Sequence, residues 1–121
     1  MMRALAAAAL MWSGTAVAAP TRVVSLNLCT DELVLLLAAP GQLASVSFLG
    51  ADGNETALAP RSRGLPTNNG RLDSVVALAP DLVFTGGGSD RYARELAARL
   101  KLRVVDVPPP QSVADIRRNI A

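Results

Sequence analysis

Arg22-Val23-Val24-Ser25-Leu26-Asn27-Leu28-Cys29-Thr30-Asp31-Glu32-Leu33 is the stretch that decides the fold. Its first five residues are a short β-branched and apolar run, the pattern of a buried strand. Asn27 to Thr30 reads as a turn. Thr30 is the predicted N-cap of a helix, with Asp31 and Glu32 placing negative charge where the helix dipole favours it. That helix is expected to run from Asp31 to about Ala39 and to stop at Pro40-Gly41. Its segment Leu33-Val34-Leu35-Leu36-Leu37-Ala38-Ala39 is apolar on every side, which predicts deep burial.

Downstream the alternation repeats. Leu43 to Phe48 reads as a second strand, with Val46 and Phe48 on one face. Gly50 to Gly70 is rich in Gly, Ala and Asn and contains Pro60 and Pro66. It is expected to be mainly loop, with one helical turn near Glu55 to Ala59. A short helix is predicted over Arg71 to Ala79, with Leu72, Val75, Val76 and Leu78 as its apolar positions and Pro80 as its stop. Asp81 to Thr85 reads as a third strand, Gly86-Gly87-Gly88 as a turn, and Ser89 as the cap of a helix from Asp90 to Leu100. In that helix Tyr92, Leu96 and Leu100 recur at four-residue spacing, and Tyr92 is expected to pack on the sheet. Arg103 to Val107 makes a fourth strand. After the stiff Pro108-Pro109-Pro110 connector, Ser112-Val113-Ala114-Asp115 resembles a capping box opening a last helix. Alternating strands and helices imply an α/β fold, a Rossmann-like parallel sheet of about four strands joined by right-handed crossovers with helices flanking it.

Upstream, Arg3 is the only charge before Arg22, Leu5 to Met11 is an apolar run that Trp12 extends, and Ala16-Val17-Ala18 offers the small residues of a cleavage site. Residues 1–18 therefore read as a cleavable signal peptide, with an uncleaved membrane anchor as the alternative. The apolar stretch is short for a span of about 20 residues. The exported remainder suits one small domain with a single core.

Composition excludes several chemistries. The chain has no His and a single Cys, Cys29. Ser–His–Asp and Cys–His catalysis, an internal disulfide and a zinc site are thereby ruled out within the chain. A net charge of +2 without a basic run, and an aromatic content of 3%, give no footing for nucleic-acid binding.

In an open parallel sheet, ligands sit outside the carboxyl ends of the strands. The first three predicted ends here carry Asn27, Leu28 and Cys29, then Phe48 and Leu49, then Gly86 and Gly87. Each also has a plain structural reading. Cys29 reads as a small buried apolar residue or as a ligand-lining thiol. Phe48 suits core packing or pocket lining equally. Asn68-Asn69-Gly70 is a turn in its simplest reading, with Asn68 a further candidate contact. Gly86-Gly87-Gly88-Ser89 is a tight turn or a loop that touches ligand; as a phosphate site it lacks both G-x-G-x-x-G and a P-loop Lys. Asp31 and Glu32 are adjacent, diverge on a helix, and make a poor acid/base pair. No catalytic residue and no cofactor is expected.

The Arg22–Leu33 stretch resembles the opening of periplasmic substrate-binding proteins of ABC transporters for iron–siderophores, haem and cobalamin. Leu72-Asp73-Ser74-Val75-Val76-Ala77-Leu78-Ala79-Pro80-Asp81-Leu82-Val83 resembles that family's second hallmark, a carboxylate-bearing short helix running into a Pro-Asp-Leu-Val strand. The likeness covers residues 20–121 in order. It implies two α/β lobes joined by one long helix, with a metal chelate held between them and delivered to a membrane permease. Residues 19–110 would form the N-terminal lobe, and residues 111–121 the start of the connecting helix, cut short. Phe48 matches a position where an aromatic ring meets ligand. Asp73 matches a permease-docking Glu, one methylene longer than the Asp found here. The resemblance thus implies a periplasmic, non-enzymatic solute carrier. The alternatives are a fragment of an exported nucleotide-binding α/β enzyme, with its phosphate site at Gly86 to Gly88, and a truncated product without function of its own.

Overall fold

The computed structural model describes residues 18–87 and 91–121. The predicted leader up to Val17, and the predicted turn and cap residues Gly88 and Ser89, lie outside the described residues. Five strands form one parallel sheet in the order β3-β2-β1-β4-β5. They are β1 (Val23–Ser25), β2 (Leu43–Ser47), β3 (Thr67–Asn68), β4 (Leu82–Thr85) and β5 (Val104–Asp106). The helices are α1 (Leu28–Leu37), α2 (Arg91–Leu100) and α3 (Val113–Ile120), and three 3₁₀ helices span Leu49–Ala51, Ala59–Ser62 and Leu72–Leu78.

The fifth strand is a correction. β3 lies inside the stretch expected to be loop, and its two residues pair with Val46 and Ser47 of β2. Two residues carry no periodicity, so no sequence pattern marks them; the pairing is tertiary. The helical turn expected near Glu55 to Ala59 falls instead at Ala59–Ser62.

Both faces of the sheet are covered, which is why β1 and β4 read as unbroken apolar runs. On one face Val24, Leu26 and Val83 pack under Leu72 and Val75 of the last 3₁₀ helix and Ala97 of α2. On the other, Val23, Val46 and Leu82 pack against Val34 and Leu35 of α1. The expectation that α1 is buried all round does not hold: Leu36 is 53% and Leu37 66% exposed. Val34 and Leu35 face the sheet, while the side carrying Leu36 and Leu37 meets solvent.

Helix ends account for the other differences. α1 begins three residues earlier than predicted, because Asn27 and not Thr30 is the cap; its Oδ1 accepts from the Cys29 N–H at 2.9 Å. Thr30 is fully buried, and its hydroxyl lies 2.7 Å from that of Ser25. The 3₁₀ helix Leu72–Leu78 ends on Ala79 in the left-handed conformation, φ 48°. The Arg22 guanidinium donates to the terminal carbonyl of Leu78 at 2.6 and 2.9 Å. At the amino edge of the sheet the Asp81 carboxylate accepts from the backbone N–H groups of Thr21 (2.7 Å) and Arg22 (3.0 Å) and from the Thr21 hydroxyl. Those donors hold its carboxyl below the ordinary carboxylate range, the Thr21 N–H contributing most. The predicted Ser112 cap of α3 forms, accepting from the Asp115 N–H at 3.1 Å, but the Asp115 carboxylate closes on the Gln111 N–H.

Candidate functional site

Parallel pairing brings all five carboxyl ends to one edge. Ser25 of β1 is level with Phe84 of β4, Thr85 of β4 with Asp106 of β5, and Ser47 of β2 with Asn68 of β3. Over the β1–β4–β5 half of this edge lies an open cleft of about 570 Å³ between the Leu72–Leu78 helix and α2. Leu26, Leu72, Ala97 and Val104 contribute apolar lining; Arg71, Asp73, Arg94 and Asp106 supply charge, and Tyr92 a phenol.

Two glycines shape the inner wall. A β-carbon on Gly86 would collide with the Asn27 side chain, so glycine lets the end of β4 pass directly over the α1 cap. Gly87 has φ +84°, a conformation that favours glycine, and a β-carbon there would also stand 2.7 Å from Pro109 Cδ. The Gly87 N–H donates to Asp106 Oδ1 at 2.8 Å, and the Thr85 hydroxyl donates to the same oxygen at 2.5 Å. The glycine turn is thus pinned to the end of β5. At the opposite wall Arg71 and Asp73 form an ion pair at 3.1 Å, with side chains 61% and 42% exposed. Such a pair is worth little energetically and leaves both groups reachable.

The predicted site residues divide. Asn27, Gly86, Gly87 and Asp73 line the cleft. Phe48 and Leu49 stand apart, just past the end of β2. Phe48 is 56% exposed; it is the first residue after the strand, in a helical conformation, and so packs in no core. Leu28 is half-buried in the first turn of α1, with Cys29 beside it. The reading of Cys29 as buried is overturned: the thiol is free and exposed, because the helix starts earlier and turns residue 29 outward. Asn68 faces inward. Its amide donates to the Ser25 carbonyl and the Ser45 hydroxyl, each at 2.9 Å, and its Oδ1 accepts from the Gly70 N–H. Tyr92 does not pack on the sheet; it is 56% exposed at the cleft, and Ala97 takes the buried position of α2.

Sequence reasoning missed Asp106 and Arg71. Asp106 was accessible to the rule already in use, since it lies next to the end of the fourth predicted strand, Arg103 to Val107, on the same edge. Arg71 enters only through the approach of the Leu72–Leu78 helix. Among the described residues no group of three or more His, Cys, Asp or Glu side chains could hold a metal ion, and no helix is long and apolar enough to cross a membrane.

No protein-family model and no curated protein sequence matches the chain. Solved structures do match in fold. A periplasmic heme binding protein from Pseudomonas aeruginosa superposes with a TM-score of 0.65 at 19% identity, covering 84% of this chain and 36% of that one. A possible iron-binding, periplasmic solute-binding protein from Staphylococcus epidermidis gives 0.63 at 19% identity, covering 83% and 39%. The periplasmic vitamin B12 binding protein of Vibrio cholerae gives 0.57 at 22% identity, covering 83% and 38%. The fold is therefore that of the N-terminal lobe of periplasmic solute-binding proteins. The chain spans a little over a third of the length of each of these neighbours.

Proposed function

We propose that the chain is the N-terminal lobe, residues 19–110, of a periplasmic solute-binding protein that captures a metal chelate such as haem, a cobalamin or a ferric siderophore. Residues 111–121 begin the helix leading towards a second lobe, and residues 1–18 are the export signal. The exposed Ala18 and Ala19, just ahead of the anchored Thr21, suit a peptidase-accessible cut.

The observation that carries the reading is the breadth of the edge. The cleft lies over β1, β4 and β5, while the solvent-facing Phe48 ring stands at the end of β2. Strands lie about 4.8 Å apart, so β2 and β4 are separated by roughly 10 Å. A solute touching both must be at least that wide, as a macrocyclic chelate is and a small oxyanion is not. An apolar wall, a phenol and paired charges suit a broad amphipathic ligand. Asp73, exposed at the rim, is the residue for docking on an ABC-type permease.

The nucleotide-enzyme alternative needs free backbone N–H groups in the glycine turn. That of Gly87 already serves Asp106, which speaks against it.

Titrating the purified chain with haemin, cyanocobalamin and ferrichrome tests the proposal. The expected result is saturable binding of one chelate, weaker than that of a two-lobed version. No binding of any chelate by either form, together with a thermal shift from ATP or NAD, would overturn it.

A further inference from the structure

The Asp31-Glu32 pair is unsuited to acid/base chemistry, yet Asp31 is fully buried. Its partners are neutral. Oδ1 accepts from the Ser47 N–H at 3.1 Å, and Oδ2 accepts from the Ser47 hydroxyl at 2.5 Å. A β-carbon on Gly50 would lie 2.6 Å from Oδ2, so the chain just past β2 is seated directly on this carboxylate. Burying a carboxylate without a cation is costly, and the first turn of a helix offsets only part of the cost.

Glu32 points elsewhere. Consecutive helical side chains diverge by about 100°, and Glu32 Oε1 accepts from the Thr56 hydroxyl at 2.7 Å. Thr56 is itself buried, and its Oγ1 accepts from the Leu58 N–H at 3.1 Å. Adjacent residues of α1, Asp31 at the end of its first turn and Glu32 just beyond, therefore hold the two ends of one segment, Ser47 to Thr56. Between those ends the backbone is tied by Phe48 N–H to Asn68 O at 2.9 Å and Asp52 N–H to Leu49 O at 3.1 Å. The Phe48 ring projects from this braced segment into solvent.

We propose that Asp31 and Glu32 are positioning residues that clamp the Ser47–Thr56 segment to α1 and so hold the Phe48 ring preorganised for the flat, apolar face of a ligand. The ligand half rests on the functional reading above; the clamp does not. A ring on a loose segment would lose affinity to the ordering it undergoes on binding, and a braced ring avoids that loss.

The experiment compares the full chain with Glu32→Ala, Glu32→Gln, Asp31→Ala and Asp31→Asn, with the exposed Glu55→Gln as control, by amide hydrogen exchange and haemin titration. In both alanine variants the Phe48 and Asp52 amides are expected to exchange on the order of tenfold faster, with the β4 amides unchanged, and haemin affinity to fall on the order of tenfold. Glu32→Gln, which keeps an acceptor for Thr56, restores both readouts, and Asp31→Asn restores them in part. Glu32 is only half-buried, so its variants decide the matter even if Asp31→Ala does not fold. Unchanged exchange in Glu32→Ala overturns the clamp. Faster exchange with unchanged haemin affinity overturns the positioning role. If haemin binds no variant and not the parent chain, the functional reading fails with the role of the ring, and the exchange data still decide the clamp.

Discussion

The Asn27 side chain stands where a β-carbon on Gly86 would have to go. Since Asn27 also caps α1, the glycine turn and the helix start are mechanically one unit. Gly86→Ala should therefore expel the cap and destabilise the chain by about 1–3 kcal/mol, as overpacking does. Combining it with Asn27→Gly should cost less than the sum of the two single changes, because the obstacle is gone. Urea denaturation of the two single variants and the double variant measures this, and strict additivity would refute it.

Asp81 ties the start of β1 to the start of β4, and its carboxyl is held below the ordinary range by the N–H groups of Thr21 and Arg22. A pKa lowered by folding contributes stability above the unfolded value, about 3.9, and that contribution disappears as pH falls through the folded value. The melting temperature of the parent chain should thus drop more steeply below about pH 4 than that of Asp81→Asn. Asp115 is lowered in the same direction and is present in both proteins, so it cancels. Parallel profiles between pH 6 and 2 would contradict the assignment.

Ala79 closes the Leu72–Leu78 helix at φ 48° and ψ 56°. An alanine in that conformation costs roughly 1–2 kcal/mol that glycine avoids. Ala79→Gly should raise stability by about 1 kcal/mol after its greater unfolded-state freedom is counted. A urea midpoint that stays put or falls would show that the strain is not there.

Phe48 separates folding from function. It packs in no core, so Phe48→Ala should change stability by no more than about 0.5 kcal/mol. Loss of an aromatic contact of about 1.4 kcal/mol would weaken haemin binding about tenfold. A large loss of stability in thermal melts, or an unaltered titration, would place the ring elsewhere in the energetics.

Cys29 is exposed at the same edge. It should react with a maleimide in the folded chain as quickly as in urea, and more slowly once haemin covers the edge. Protection of the thiol in the ligand-free folded chain would contradict its placement.

The alternation of strands and helices was legible because both faces of β1 and β4 are buried, which writes unbroken apolar runs into the sequence. The carboxyl-edge rule likewise put Asn27, Gly86 and Gly87 at the edge where they line the cleft. What escaped has a common cause. β3 is too short for any period, Asp31 acquires its partner from a strand sixteen positions away, and Asn68 turns inward because Ser25 and Ser45 offer it an acceptor each. The buried reading of Cys29 failed because α1 starts three residues earlier than predicted and turns that side chain to solvent.

The outermost strands have a consequence for how copies of the chain meet. β3 has two residues and follows Pro66; β5 has three and runs through Val107 into Pro108-Pro109-Pro110, which carry no N–H to donate. Neither border offers a length of unsatisfied backbone that another chain could extend. Self-association by strand recruitment, the usual route to cross-β deposits, is therefore closed at both borders. Among the described residues the helical faces still leave Leu37, Ile116 and Ile120 open to contact between copies.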